Sequence, residues 1–130
     1  MNWDDVEFFS ESELACRCGC GDAPMDAAFL RALDEIRREF GRPMKISSGF
    51  RCKNHKIEAA KRVPGAHNTG AAADILVARG VAFDLLRIAA AHPIITGIGV
   101  QQKGATSGRF IHLDAVPPGG DLARPNLWSY

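Results

Sequence analysis

The chain lacks any apolar run approaching the roughly 20 residues that cross a bilayer, which excludes a membrane-spanning helix. It also lacks an excess of either charge. With 16 basic and 15 acidic side chains the net charge is +1, so neither nucleic acid nor an anionic membrane surface is expected as a partner. The opening residues, Met-Asn-Trp-Asp-Asp-Val-Glu-Phe-Phe, lack the basic-then-apolar order of an export signal, and none is expected. There is no internal repeat. The four cysteines, Cys16, Cys18, Cys20 and Cys52, lack the paired C-x-x-C spacing of structural zinc sites. Three readings stay open for them: reduced thiols, one disulfide with free thiols, or a second, structural ion completed by Cys52. Without C-x-x-C pairs the second ion is not expected, and an unexported chain favours reduced thiols.

What is present suits a single domain over residues 1–130, because 130 residues with 46% hydrophobic side chains are enough for a core. Ser10 and Glu13 stand at capping-box spacing, in a first segment (3–21) that reads as irregular or briefly helical. Phe29, Leu33, Ile36 and Phe40 repeat at helical spacing and predict a helix over 24–40, ended by Gly41 and Pro43. A strand follows over 44–48, and a short basic helix over 53–62 ends at Pro64-Gly65. Residues 71–77, 94–101 and 109–116 read as strands, with a helix over 81–91 between the first two and a polar hairpin loop between the last two. The proline- and glycine-rich segment 117–130 reads as irregular, its aromatics pinning it to the body.

Strand alternation places Phe110, His112 and Asp114 on one face, opposite the core-facing Ile111, Leu113 and Ala115. Asp74 likewise lies opposite Ala73, Ile75 and Val77, with small alanines leaving room beside it. His67 precedes Asp74 by seven residues across Gly70, so a loop histidine and a strand aspartate can converge. With His112 they make the set of two histidines and a carboxylate that holds catalytic zinc and leaves a fourth position for water. By spacing alone, a histidine followed at seven residues by an aspartate is a common arrangement.

Several ordered motifs carry more. Ser48-Gly-Phe-Arg-Cys-Lys-Asn-His55, Gly65-Ala-His-Asn-Thr-Gly-Ala-Ala-Ala-Asp-Ile75, Gly97-Ile-Gly-Val100, Phe110-Ile-His-Leu-Asp114 and Arg124-Pro-Asn-Leu-Trp128 resemble the M15 metallopeptidases over nearly the whole chain. The similarity is to the M15A group of zinc D-Ala-D-Ala carboxypeptidases and related phage and tail-associated peptidases. The resemblance implies a small α+β fold shared with the hedgehog signalling domain, an antiparallel sheet with helices packed on it. It implies zinc held by His67, Asp74 and His112, and Arg51 gripping a carboxylate or carbonyl of the substrate. The implied substrate is the peptide stem of bacterial peptidoglycan, cut at a D-amino acid by metal-activated water, as a carboxypeptidase or an endopeptidase. A chain without an export signal would meet that substrate after lysis, or as part of a phage or phage-like tail.

The chain departs from the family in two places. Gly65 stands where a serine often precedes the first metal histidine. Arg109 and Phe110 stand where an acidic base or a second histidine is usual. Asp114 is the replacement expected as catalytic base; its other reading is a carboxylate that orients His112 or pairs with an arginine. His55, four residues after Arg51, is a second substrate-binding candidate if a helix carries both, and a surface histidine if not. The alternative to an enzyme is a non-catalytic zinc-containing binding module or a structural component of a phage tail.

Overall fold

The computed structural model describes residues 1–130. In chain order the elements are α1 (Glu11–Leu14), α2 (Ala27–Phe40), β1 (Lys45–Ser48), α3 (Lys56–Ala59), β2 (Ala72–Leu76), α4 (Arg79–Ala90), β3 (Gly97–Gln101), β4 (Phe110–Asp114) and β5 (Asn126–Ser129). No helix is long and apolar enough to cross a membrane.

The α2 helix forms where the apolar spacing predicts it. Asp26 caps it by accepting from the Phe29 amide at 2.9 Å, and Gly41 ends it in the left-handed conformation. Its buried stripe, Phe29, Leu30, Leu33, Ile36 and Phe40, packs with Ala82, Leu85 and Ala89 of α4 against Ala73, Ile75, Ile111 and Leu113 of the sheet. The amino-terminal segment is fastened to this layer by buried Asp34, which accepts from the Glu7 and Phe8 amides at 2.8 and 3.0 Å.

The sheet order is β1-β2-β4-β3-β5. The first four strands are antiparallel neighbours, as expected, but β5 adds parallel to β3. The expected antiparallel sheet is therefore a mixed one at its edge. The fifth strand lies inside the segment read as irregular, because Pro117, Pro118 and Pro125 hide a short pairing that depends on β3 being at hand. The basic helix expected over 53–62 contracts to α3.

Register decides which side chains meet. Asp74 pairs with His112, His112 with Gly99, and Gly99 with Trp128. A β-bulge in β1 brings Ser48 opposite Asp74 in the same row. The row beside it runs Ala72, Asp114, Gly97, Asn126. Both glycines of β3 serve close approach. A Cβ at Gly99 would come within 2.6 Å of the Trp128 indole nitrogen, and one at Gly97 would overlap both Asp114 carboxylate oxygens. Gly97→Ala is therefore expected to lower stability by about 1–3 kcal/mol, the cost of overpacking, measured as a reduced denaturation midpoint; an unchanged midpoint would mean that Asp114 has room to move.

The four thiols, which their spacing did not favour as one ion site, converge: Cys16, Cys18, Cys20 and Cys52 place their sulfurs within 4.8 Å of one another. Spacing counts residues within one segment, whereas the fold returns Cys52 to the turn that carries the other three.

Candidate metal centre

His67 lies in the 3-10 turn Ala66–Thr69, held from several sides. The buried carboxylate of Glu58 accepts from the Gly65 amide at 2.6 Å and fixes the entry to the turn. The Arg51 amide donates to the His67 carbonyl at 3.1 Å, and Asn68 Nδ2 donates to the Arg51 carbonyl at 2.9 Å. The loop carrying Arg51 and the turn carrying His67 are thereby joined.

The tautomers follow from the partners. His67 Nδ1 lies 2.7 Å from the Gly49 carbonyl, which can only accept, so Nδ1 carries the hydrogen and Nε2 is left with its lone pair. His112 Nε2 lies 2.6 Å from Asp114 Oδ2, so Nε2 donates and Nδ1 is the free nitrogen. These two nitrogens and Asp74 Oδ1 face one another: His67 Nε2 to Asp74 Oδ1 is 3.2 Å, His112 Nδ1 to Asp74 Oδ1 is 2.9 Å, and the two nitrogens are 3.2 Å apart. Three donor atoms around a tetrahedral zinc at about 2.0–2.1 Å are separated by roughly 3.3 Å. The residues present fit a zinc ion, and only a cation or a shared proton stabilises lone pairs so placed.

The electrostatics point the same way. Burial would raise the Asp74 carboxyl, but the two imidazoles of His112 and His67 against it outweigh burial and hold it below the usual carboxylate range. Burial pushes the His67 imidazole below its ordinary value, keeping the neutral form that ligates metals. For His112, burial is outweighed by Asp114 and Asp74 on either side of the ring, which raise it. The cationic state those two carboxylates favour is one that a proton or a metal ion can supply.

The donor set lies at the wall of a cavity of about 1000 Å³, which Arg51, Lys61, Arg62, Trp128 and Tyr130 also line. Arg51 Nε donates to Ser48 Oγ at 3.1 Å, and its Nη2 stands 3.6 Å from Asp74 Oδ2. The Trp128 ring packs on His112 with centroids 5.1 Å apart.

Asp114 and His55 do not line the cavity, and each takes the other of the two positions open to it from the sequence. Asp114 shares the face of His112, yet it is fully enclosed behind the ring, on the side away from the free Nδ1. One carboxylate oxygen accepts from His112, and Arg124 grips both at 2.9 and 2.7 Å. Burial alone would raise its carboxyl, but His112 and then Arg124 hold it at about 2. A carboxylate so engaged has the arrangement that orients a histidine, and it is not among the residues lining the cavity. His55 is not on a helix with Arg51, because α3 begins only at Lys56. Its Nδ1 accepts from the Ile57 amide at 3.1 Å as the helix cap, away from the cavity.

Sequence reasoning assigned no role to Glu58, and none to Arg124 beyond its place in a motif; Trp128 was expected only to pack. The signal for Arg124 was indirect, an arginine close after an aspartate on the ligand face.

The sequence profile of the family Peptidase M15 matches residues 7–114. That span contains Arg51, His67, Asp74, His112 and Asp114 and ends before Arg124 and Trp128. No curated protein matches the chain. The matched span covers most of the chain and includes all three converging donors, and the protein belongs to the M15 peptidase family of metallopeptidases.

Proposed function

We propose that the protein is a zinc peptidase that hydrolyses the peptide stems of bacterial peptidoglycan at a bond involving a D-amino acid. The observation that carries this reading is the set of three lone pairs at the wall of an open cavity whose rim bears Arg51. His67, Asp74 and His112 would hold the ion. Zinc in such a site supplies a Lewis acid that lowers the pKa of water from about 15.7 toward about 7 and polarises a carbonyl.

The chain's own residues supply the rest. Asp114 keeps His112 in the tautomer with Nδ1 free, and Arg124 holds Asp114 in place. Arg51 binds the terminal carboxylate or a carbonyl of the peptide, since its planar fork keeps donors available beyond Ser48 and Asp74. Lys61 and Arg62 add positive charge along the same wall, which suits a short acidic peptide. Trp128, packed on His112, and Tyr130 also line the cavity. The burial that raises the Tyr130 phenol keeps it protonated, able to donate a hydrogen bond. Such a substrate places the action at the cell wall, reached after lysis or from a phage or phage-like tail.

A second reading, a zinc-holding module that binds without cleaving, is favoured by one observation: the only carboxylate lining the cavity is Asp74, itself one of the donors. Purified muropeptides incubated with the zinc-loaded protein, beside a chelated control, separate the two by mass spectrometry. Chelator-sensitive loss of a terminal alanine indicates a carboxypeptidase, and opening of a cross-link or stem bond an endopeptidase. Intact muropeptides in the presence of bound zinc would favour the module.

Arg51→Ala is expected to lower kcat/KM for muropeptides by about tenfold to a hundredfold, the loss of one charge-assisted pair at about 1.5–3 kcal/mol, with zinc content unchanged. Arg51→Lys should recover only part, because a point charge does not reproduce the fork. Equal kinetics for all three proteins would remove Arg51 from substrate binding.

A further inference from the structure

Three of the four cysteines, Cys16, Cys18 and Cys20, alternate along the tight turn after α1. Gly19 and Gly21 there adopt positive φ of 102° and 74°, and this tight turning lets three successive thiols face one point. Cys52 reaches the same point from the loop after β1. Its sulfur lies 3.7 Å from that of Cys16 and 3.4 Å from that of Cys18, and no disulfide links any of the four. Four thiolates around a tetrahedral zinc, with bonds of about 2.3 Å, are separated by about 3.8 Å. A multi-iron cluster would need them set wider apart.

Packing does not account for this gathering. Cys18 and Cys20 are exposed and gain nothing by burial from meeting Cys16 and Cys52. Backbone hydrogen bonds add the pattern that accompanies thiolates in metal-binding turns: the Cys52 amide donates to Cys16 Sγ and the Asp22 amide to Cys20 Sγ, each at 3.4 Å. The two segments are also pinned without any ion. The Cys16 amide donates to the Asp22 carbonyl at 2.7 Å and the Phe50 amide to the Leu14 carbonyl at 2.9 Å. A single disulfide to Cys52, by contrast, would leave two thiols crowded against it with no role.

We propose that Cys16, Cys18, Cys20 and Cys52 bind one structural zinc ion, separate from the His67, Asp74 and His112 centre, and that it fastens the turn after α1 to the loop carrying Arg51. Cys52 directly follows Arg51, whose guanidinium faces Asp74. The ion therefore acts as a positioning clamp on the substrate side of the cavity. This inference does not depend on what the protein cleaves.

The test is metal analysis of the protein purified without chelator, alongside Asp74→Ala and Cys20→Ser. Two equivalents of zinc in the wild-type protein and one retained by Asp74→Ala are expected. The exposed Cys20 site tolerates serine sterically, and Cys20→Ser should lose one equivalent while amide exchange over residues 50–53 accelerates about tenfold or more. Cobalt substituted into Asp74→Ala should show the thiolate-to-metal charge-transfer absorption of a tetrahedral sulfur site. The proposal is overturned if the native wild-type protein holds no more than one equivalent and all its cysteines react with a thiol reagent. It is equally overturned if the intact mass is short of the hydrogens lost to disulfides.

Discussion

Asp74→Ala is expected to abolish zinc binding at the histidine centre and to reduce hydrolysis by at least about a thousandfold. Asp74 is the one anionic donor of the set, and its carboxylate meets His67, His112 and Arg51. Its loss leaves two neutral imidazoles, a donor set too small for a three-ligand site. Metal polarisation contributes several kcal/mol to such a reaction, and about 1.4 kcal/mol corresponds to a factor of ten in rate. Asp74→Asn keeps the shape and one acceptor oxygen, so it should fold as the wild type does while still losing most of its zinc. Metal titration and muropeptide turnover, with circular dichroism as the folding control, check both variants. Full zinc content with near wild-type turnover in either would remove Asp74 from the centre.

Asp114→Ala is expected to destabilise the fold by about 3–5 kcal/mol, because it strands a buried guanidinium. The Arg124 side chain is only 6% exposed and both Asp114 oxygens face it. The surviving fold should bind zinc about ten to a hundred times more weakly, since His112 loses the acceptor that sets its tautomer. Asp114→Asn separates positioning from proton transfer. Its amide oxygen can still accept from His112 or Arg124, so part of the stability returns. If Asp114 positions the ligand, zinc affinity falls and the pH profile keeps its shape. If it were the base, kcat would fall with zinc affinity intact and one limb of the profile would disappear.

Acid titration checks the same pair. The folded Asp114 carboxyl, at about 2, lies below its ordinary 3.8, so its pairing stabilises the fold fully above the ordinary value. That contribution fades as the pH falls through the folded value. In Asp114→Asn this share of the acid destabilisation should be absent when unfolding is followed between pH 5 and pH 2.

Much of the site was legible in local pattern. Alternation in β2 and β4 placed Asp74 and His112 opposite the core, and those side chains lie there. The α2 helix and its caps were readable because propensity, apolar period and terminators agree within one segment. Legibility ended where a residue's meaning depended on a distant partner. Asp114 carried the right face for a base, but Arg124, ten residues on, closes over it. His55 carried the right spacing for a helix shared with Arg51, but the helix begins only after it. Cys52 was one of several open pairings for the cysteine run until β1 and the loop after it carried it back to the turn holding Cys16.

The sequence by itself determined the core stripes and most of the helix and strand order, because periodicity and side-chain chemistry are local properties, and its ordered motifs carried, through their resemblance to the M15 peptidases, the class of fold and the three candidate metal donors. The tertiary structure alone decided that Asp74 stands opposite His112 and that Gly97 and Gly99 leave space for Asp114 and Trp128. It also decided that β5 pairs parallel to β3 and that four thiols share one point. Strand register and loop closure decide these matters, and both are set by contacts between segments far apart in the chain.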